Sequence, residues 1–140
     1  MKKLAAMLLA CLLLAACGAP QAESPAPTRE ALLQAVEELN QYEEDHLLTA
    51  VTQMEINEQS GILFEKWNAL LAETERFAKA SLTEEERSKF ETDAAAWLQV
   101  REQAVEAAGA EVQGGSAESM VRCMESIRYT KERVSALLTQ

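Results

Sequence analysis

From Thr28 onward the apolar residues of this chain recur at spacings of three and four, and Gly and Pro become rare. That interval places side chains along one face of an α-helix. Thr28 is the predicted cap of a first helix whose stripe is Leu32, Val36 and Leu39. A second, longer helix is predicted to carry Leu47, Val51 and Met54 inward, followed by Leu63, Trp67, Leu70, Leu71 and Phe77. Gly61 falls inside it, weakens it by about 1 kcal/mol relative to alanine, and marks either a kink or the close approach of a neighbour. Thr83 and Glu86 have the spacing of a capping box, so a third helix starts there, with Phe90, Ala94, Trp97, Val105 and Ala108 inward. Gly109 and the pair Gly114-Gly115 end it or open the next loop. Ser116 is the predicted cap of a last helix facing inward through Met120, Cys123, Met124, Ile127, Val134, Leu137 and Leu138. The fold class is therefore all-α, an antiparallel bundle of three to four helices, with no competing strand alternation.

The pattern before Thr28 is different. Lys2 and Lys3 precede an almost unbroken run of Leu, Ala and Met that stops at Leu14-Ala15-Ala16-Cys17. A membrane-spanning helix needs about 20 apolar residues, so this run reads as a targeting signal. Its end resembles the lipobox of bacterial lipoproteins, where small residues admit the backbone to the signal peptidase and the Cys thiol takes the diacylglycerol. Cys11 fits less well, because Leu9 occupies a position that wants a small residue. The expected organisation is a signal peptide at 1–16, lipidated Cys17 with a tether at 17–27, and a helical domain at 28–140. Recurring prolines and the lack of an apolar face keep residues 18–27 out of a helix. Fully extended, they reach roughly 30 Å.

Charge narrows the partners. The chain carries a formal net charge of −10, and removal of Lys2 and Lys3 with the signal makes it −12. Nucleic acid is excluded as a natural partner, and anionic lipid headgroups are repelled, so attachment to a membrane rests on acyl chains. A cationic protein is attracted. Of the 3 cysteines, one falls in the signal and one takes lipid. Cys123 remains, as a small buried apolar residue or, alternatively, an intermolecular disulfide partner.

Catalytic chemistry finds little support. Glu43-Glu44-Asp45-His46 contains the Glu-x-x-His spacing of di-iron bundles, but such a site needs a second pair and His46 is the only histidine. The segment reads as a solvated helix face. A haem-attachment motif, a phosphate-binding glycine loop and a Ser-His-Asp set are absent from the sequence. The reading is a non-enzyme without a cofactor or metal. Trp67 and Trp97 line either the core or a ligand groove, and their apolar neighbours at helical spacing favour the core.

Several segments then point to one family. Thr52-Gln53-Met54-Glu55-Ile56-Asn57 resembles the Thr-Gln-x-Glu-Met-Asn signature of the LprI-like lysozyme-inhibitor domain, and Asn68 with Leu71 falls near that family's Leu-Asn-x-x-Tyr stretch. Trp97-Leu98-Gln99-Val100-Arg101-Glu102 is similar to its Trp-x-x-Tyr-Arg-Asp. Gly114-Gly115-Ser116, then Thr130 and Arg133, match its Gly-Gly-Ser to Thr-x-x-Arg segment. The resemblance covers about residues 50–138. It departs at the family's cysteines: Gln59 and Val105 stand near two of the positions, and Cys123 lies about two residues early for a third. The matched residues read as architecture, with Trp97 at the bundle centre, Arg101 and Arg133 pairing with acids on adjacent helices or capping carbonyls, and Gly114-Gly115 turning the chain.

What the resemblance implies is an envelope lipoprotein that binds and inhibits lysozyme, a cationic protein. The Glu84-Glu85-Glu86 run is a candidate contact. A structural or adaptor lipoprotein and a small-ligand carrier are the alternatives. Gly18 stands where an Asp would resemble an inner-membrane retention signal, so in a cell with two membranes the expected location is the outer one, facing the periplasm.

Overall fold

A computed structural model describes residues 25–139; the expected signal peptide, Cys17 and most of the tether lie outside the described residues. Helix α1 (Arg29–Tyr42) starts as expected, with the Thr28 hydroxyl accepting from the Ala31 N–H at 3.2 Å. At its far end the helix widens into a π-helical turn, Glu43–Leu47, closed by the Leu48 N–H donating to the Glu43 carbonyl at 3.0 Å. Such a turn inserts a residue into the helical register. Leu47 is buried in the core, while Leu48 is left in solvent.

The second helix therefore begins later than the apolar periodicity predicts. Thr52 adopts an extended conformation (φ −100°, ψ 150°) and caps α2 (Gln53–Lys79), its hydroxyl accepting from the Glu55 N–H. Leu47 belongs to the end of the preceding helix, and Val51 and Met54, expected inward, are exposed. Periodicity failed here because a Thr-x-x-Glu capping box breaks the helix between two apolar runs whose spacing happens to agree. Gly61 marks no close approach: α2 continues through it, and a Cβ there would meet nothing within 4 Å.

The capping box expected at Thr83 is formed and starts α3 (Glu84–Ala110). Helix α4 (Glu118–Leu138) starts one residue later than expected, with Ala117 rather than Ser116 at the cap position and no side-chain cap. The chain enters it through Gly114, whose φ of 75° is the positive-φ conformation that glycine adopts freely. Among the described residues there are four α-helices and no strand. No described helix is long and apolar enough to cross a membrane.

Helices α2 and α4 form the central pair, with α1 against α2 and α3 against α4. The core is built from Leu63, Trp67, Leu70 and Leu71 of α2 and from Ile127, Val134, Leu137 and Leu138 of α4, closed by Leu32 and Leu47. Small hydroxyl residues let the central pair approach closely: Ser60, Thr74, Ser126 and Thr130 are all buried. Ser60 donates to the Asn57 carbonyl (3.0 Å), Thr74 to Leu70 (2.8 Å) and Thr130 to Ser126 (2.8 Å), so each is satisfied by its own helix.

Connectivity gives the bundle two distinct ends. Ala26 to Glu30 share a crevice with residues 77–82 and with Leu137 and Leu138, so the chain enters beside the α2–α3 turn. The opposite end holds the turn between the π-helical segment and α2, together with the α3–α4 loop, to which it is joined by Asn57. From Arg29 to Leu47 the helical path is about 28 Å long, at about 1.5 Å per residue.

Candidate functional site

The motif residues gather into two groups. At the end remote from the entering chain, Glu55 folds back to accept from the N–H groups of Thr52 (2.9 Å) and Val51 (3.2 Å), completing the cap of α2. The Thr52 backbone N–H is the main reason the Glu55 carboxyl is held below its ordinary range, followed by the Thr52 hydroxyl and the Val51 N–H. One turn on, Gln53 donates to Asn57 Oδ1 at 3.0 Å, and Asn57 Nδ2 donates across the bundle to the Ser116 carbonyl at 2.8 Å. Ser116 thus serves through its backbone, as the anchor point that α2 holds. The Gly114 N–H donates to Glu118 at 2.7 Å and is the leading cause that lowers the Glu118 carboxyl. Gly115 lies in the same loop, its N–H donating to the Val112 carbonyl.

The second group lies at mid-bundle, where α2, α3 and α4 meet. Arg101 Nη1 donates to Asn68 Oδ1 at 2.9 Å and to Thr130 Oγ1 at 3.2 Å. Its partners are neutral side-chain oxygens rather than the expected acids or helix-end carbonyls. Because the Thr130 hydroxyl proton is committed to the Ser126 carbonyl, a lone pair is what Arg101 meets. Burial is the main reason its guanidinium is pulled below its ordinary value. Arg133 does pair with an acid, Asp93, at 2.7 Å. The Trp97 ring lies 5.1 Å from the Arg101 guanidinium and 5.7 Å from that of Arg133, a cation–π arrangement. Trp97 is consequently half-buried between two arginines, and the bundle centre is filled by Trp67, at 2% exposure.

Neither group offers a nucleophile beside a base. Cys123 is half-buried rather than fully enclosed; burial pushes its thiol up, and the Ser60 hydroxyl offsets part of this. His46 is exposed and stacks on Tyr42, with ring centroids 4.3 Å apart. Gln59, near a position where the resemblance expected cysteine, accepts from the Tyr42 hydroxyl at 2.9 Å and holds the π-helical turn against α2. Among the described residues no cluster of His, Cys, Asp and Glu could hold a metal ion.

The surface offers more. Glu84-Glu85-Glu86, the acidic run singled out from sequence, is partly occupied, since Glu86 caps Thr83 and Glu85 pairs with Lys89 at 2.6 Å. Sequence reasoning overlooked the remote end. There Leu48, Val51 and Met54 are 71%, 88% and 77% exposed, and no Lys or Arg occurs anywhere in residues 30–65 or 102–121. Two signals could have found it. Thr52-x-x-Glu55 repeats the capping pattern of Thr83-x-x-Glu86, and the gap in basic residues is visible in the bare sequence.

The sequence model of a family described as lysozyme inhibitor LprI matches residues 44–137. No curated protein matches, and no solved structure does.

Proposed function

We propose, from the premise that this chain belongs to the lysozyme inhibitor LprI family, that it binds lysozyme and blocks it, held at the bacterial envelope by lipid on Cys17. The observation that carries the reading is the family match over residues 44–137, which spans α2, α3 and nearly all of α4. The chemistry of the surface supports it. Animal-type lysozymes are strongly cationic, and a chain with a formal net charge of −10 attracts them over a range set by ionic strength. Both motif groups stiffen the bundle, and a stiff binder loses little entropy on docking.

Anchorage rests on the Leu14-Ala15-Ala16-Cys17 lipobox and the proline-bearing tether that follows. Gly18 after the lipidated cysteine favours the outer membrane, facing the periplasm, in a cell with two membranes. The deciding experiment titrates the full-length protein, in mild detergent, into c-type and g-type lysozymes acting on purified peptidoglycan across a salt series. Saturable inhibition near equimolar protein, weakening as salt rises, is the expected result. Absence of inhibition at low salt by a protein of full helical content would replace this function with that of an envelope adaptor.

A further inference from the structure

The apolar side chains at the remote end have no structural employment. A residue just before a helix cap often packs on the fourth helical position, which here would set Val51 against Ile56. Val51 is instead 88% exposed, the most exposed large apolar residue among the described ones, and Leu48 and Met54 flank it within one seven-residue segment. The backbone presenting them is well tied. Thr49 Oγ1 donates to the Asp45 carbonyl at 2.7 Å, the Ala50 N–H donates to the Leu47 carbonyl, and the Val51 and Thr52 N–H groups both donate to Glu55. Apolar groups held out to water on a fixed backbone are the arrangement expected of a binding anchor.

The surroundings indicate what would cover it. Glu44, Asp45, Glu55 and Glu58 are exposed around the segment, and Glu111 is exposed on the α3–α4 loop at the same end. Residues 30–65 and 102–121 contain no Lys or Arg, and the neighbouring Lys131 and Arg122 are engaged by Glu43 and by Glu106 and Glu118, which leaves this rim acidic. A second copy of the chain would bring acid against acid, and an anionic bilayer would be repelled in the same way. A cationic protein surface with an apolar recess satisfies both the rim and the centre.

We propose that Leu48, Val51 and Met54, ringed by these acids, form the surface through which the protein docks on its cationic partner. The inference rests on the lysozyme-binding reading and names the face that reading uses. This face lies at the opposite end of the bundle from the entering chain, so tethering at the N-terminal side leaves it free.

The test compares the full-length protein with a Leu48→Ser/Val51→Ser/Met54→Ser variant and a Glu44→Gln/Asp45→Asn/Glu58→Gln variant, binding c-type lysozyme in detergent across a salt series. None of the six side chains enters the core, and Asp45, which accepts from Gln41 at 3.0 Å, keeps an acceptor oxygen as Asn, so unchanged helical content and thermal midpoint are expected. The serine variant should lose roughly a hundredfold in affinity, and the neutralised variant about fivefold, with a flatter salt dependence. Wild-type binding matched by the serine variant would overturn the docking face and leave lysozyme binding standing. No binding by the folded wild type would overturn both. A wild-type dimer dissolved by the serine substitutions would overturn the proposal by assigning the patch to self-association.

Discussion

At the end of the bundle where α2 passes into α3, residues 80–83 close the turn, and the Thr83–Glu86 capping box holds it with groups three residues apart. At the other end, the tie that matters spans the chain from Asn57 to Ser116. The first end buries its sequence logic locally, and two of its carboxylates, Glu86 and Glu85, are engaged by Thr83 and Lys89. The second is assembled from two distant segments and leaves three large apolar side chains and several acids unused. Local closure serves folding alone, whereas an end built by long-range contact can hold a surface in shape for something outside the molecule.

The largest perturbation should erase the contrast. Trp67→Ala opens the centre on which both ends depend and is expected to cost about 3–5 kcal/mol in urea unfolding, loosening both turns together. Asn57→Ala against Thr83→Ala sharpens the contrast instead. Each should cost about 1 kcal/mol, but amide exchange should quicken around 111–117 for the first and around 80–86 for the second. A uniform response to both would break the comparison.

Acid should separate the ends more gently. Glu55, Glu86 and Glu118 all have carboxyls lowered from 4.5, chiefly by backbone N–H groups of Thr52, Thr83 and Gly114. A group whose folded value is depressed contributes fully above its unfolded value and loses that contribution as pH falls through the folded one. Stability should therefore be flat above about pH 5 and decline below the ordinary value. The decline should be steeper at the end holding Glu55 and Glu118, as read by exchange corrected for intrinsic rates. The smallest effect has the opposite sign. Gly61→Ala, with open space around the new methyl, should raise stability by about 0.5–1 kcal/mol, measured as a higher thermal midpoint.

Much of the bundle was legible in the sequence because helix periodicity and the Thr28 and Thr83 caps are local signals. The register of Leu63, Trp67, Ile127 and Val134 follows from spacing alone. The π-helical turn does not, since one extra residue in a hydrogen-bonded ring leaves no compositional mark, and it is this turn that separates buried Leu47 from exposed Leu48. Val51 and Met54 were misplaced because periodicity cannot see a chain reversal between two runs in phase. Arg101 was expected to find an acid or to cap a helix carbonyl. Its real partners, Asn68 and Thr130, were both visible as motif residues, but only the folded geometry brings three helices to one nitrogen.

That nitrogen has a mechanical consequence. Along the seam between α2 and α4, the hydroxyls of Ser60, Thr74 and Thr130 have turned back onto their own helices. The seam works like a lightly greased bearing, in which the one direct grip these hydroxyls offer between the two helices is that of Ser60 on the Cys123 thiol. Arg101, reaching from α3 to Asn68 on one rod and Thr130 on the other, acts as an indexing pin that sets the position of α4 along α2. With the pin withdrawn, the bundle would keep its oily core and lose its alignment, and the faces at its far end would no longer meet a partner in register.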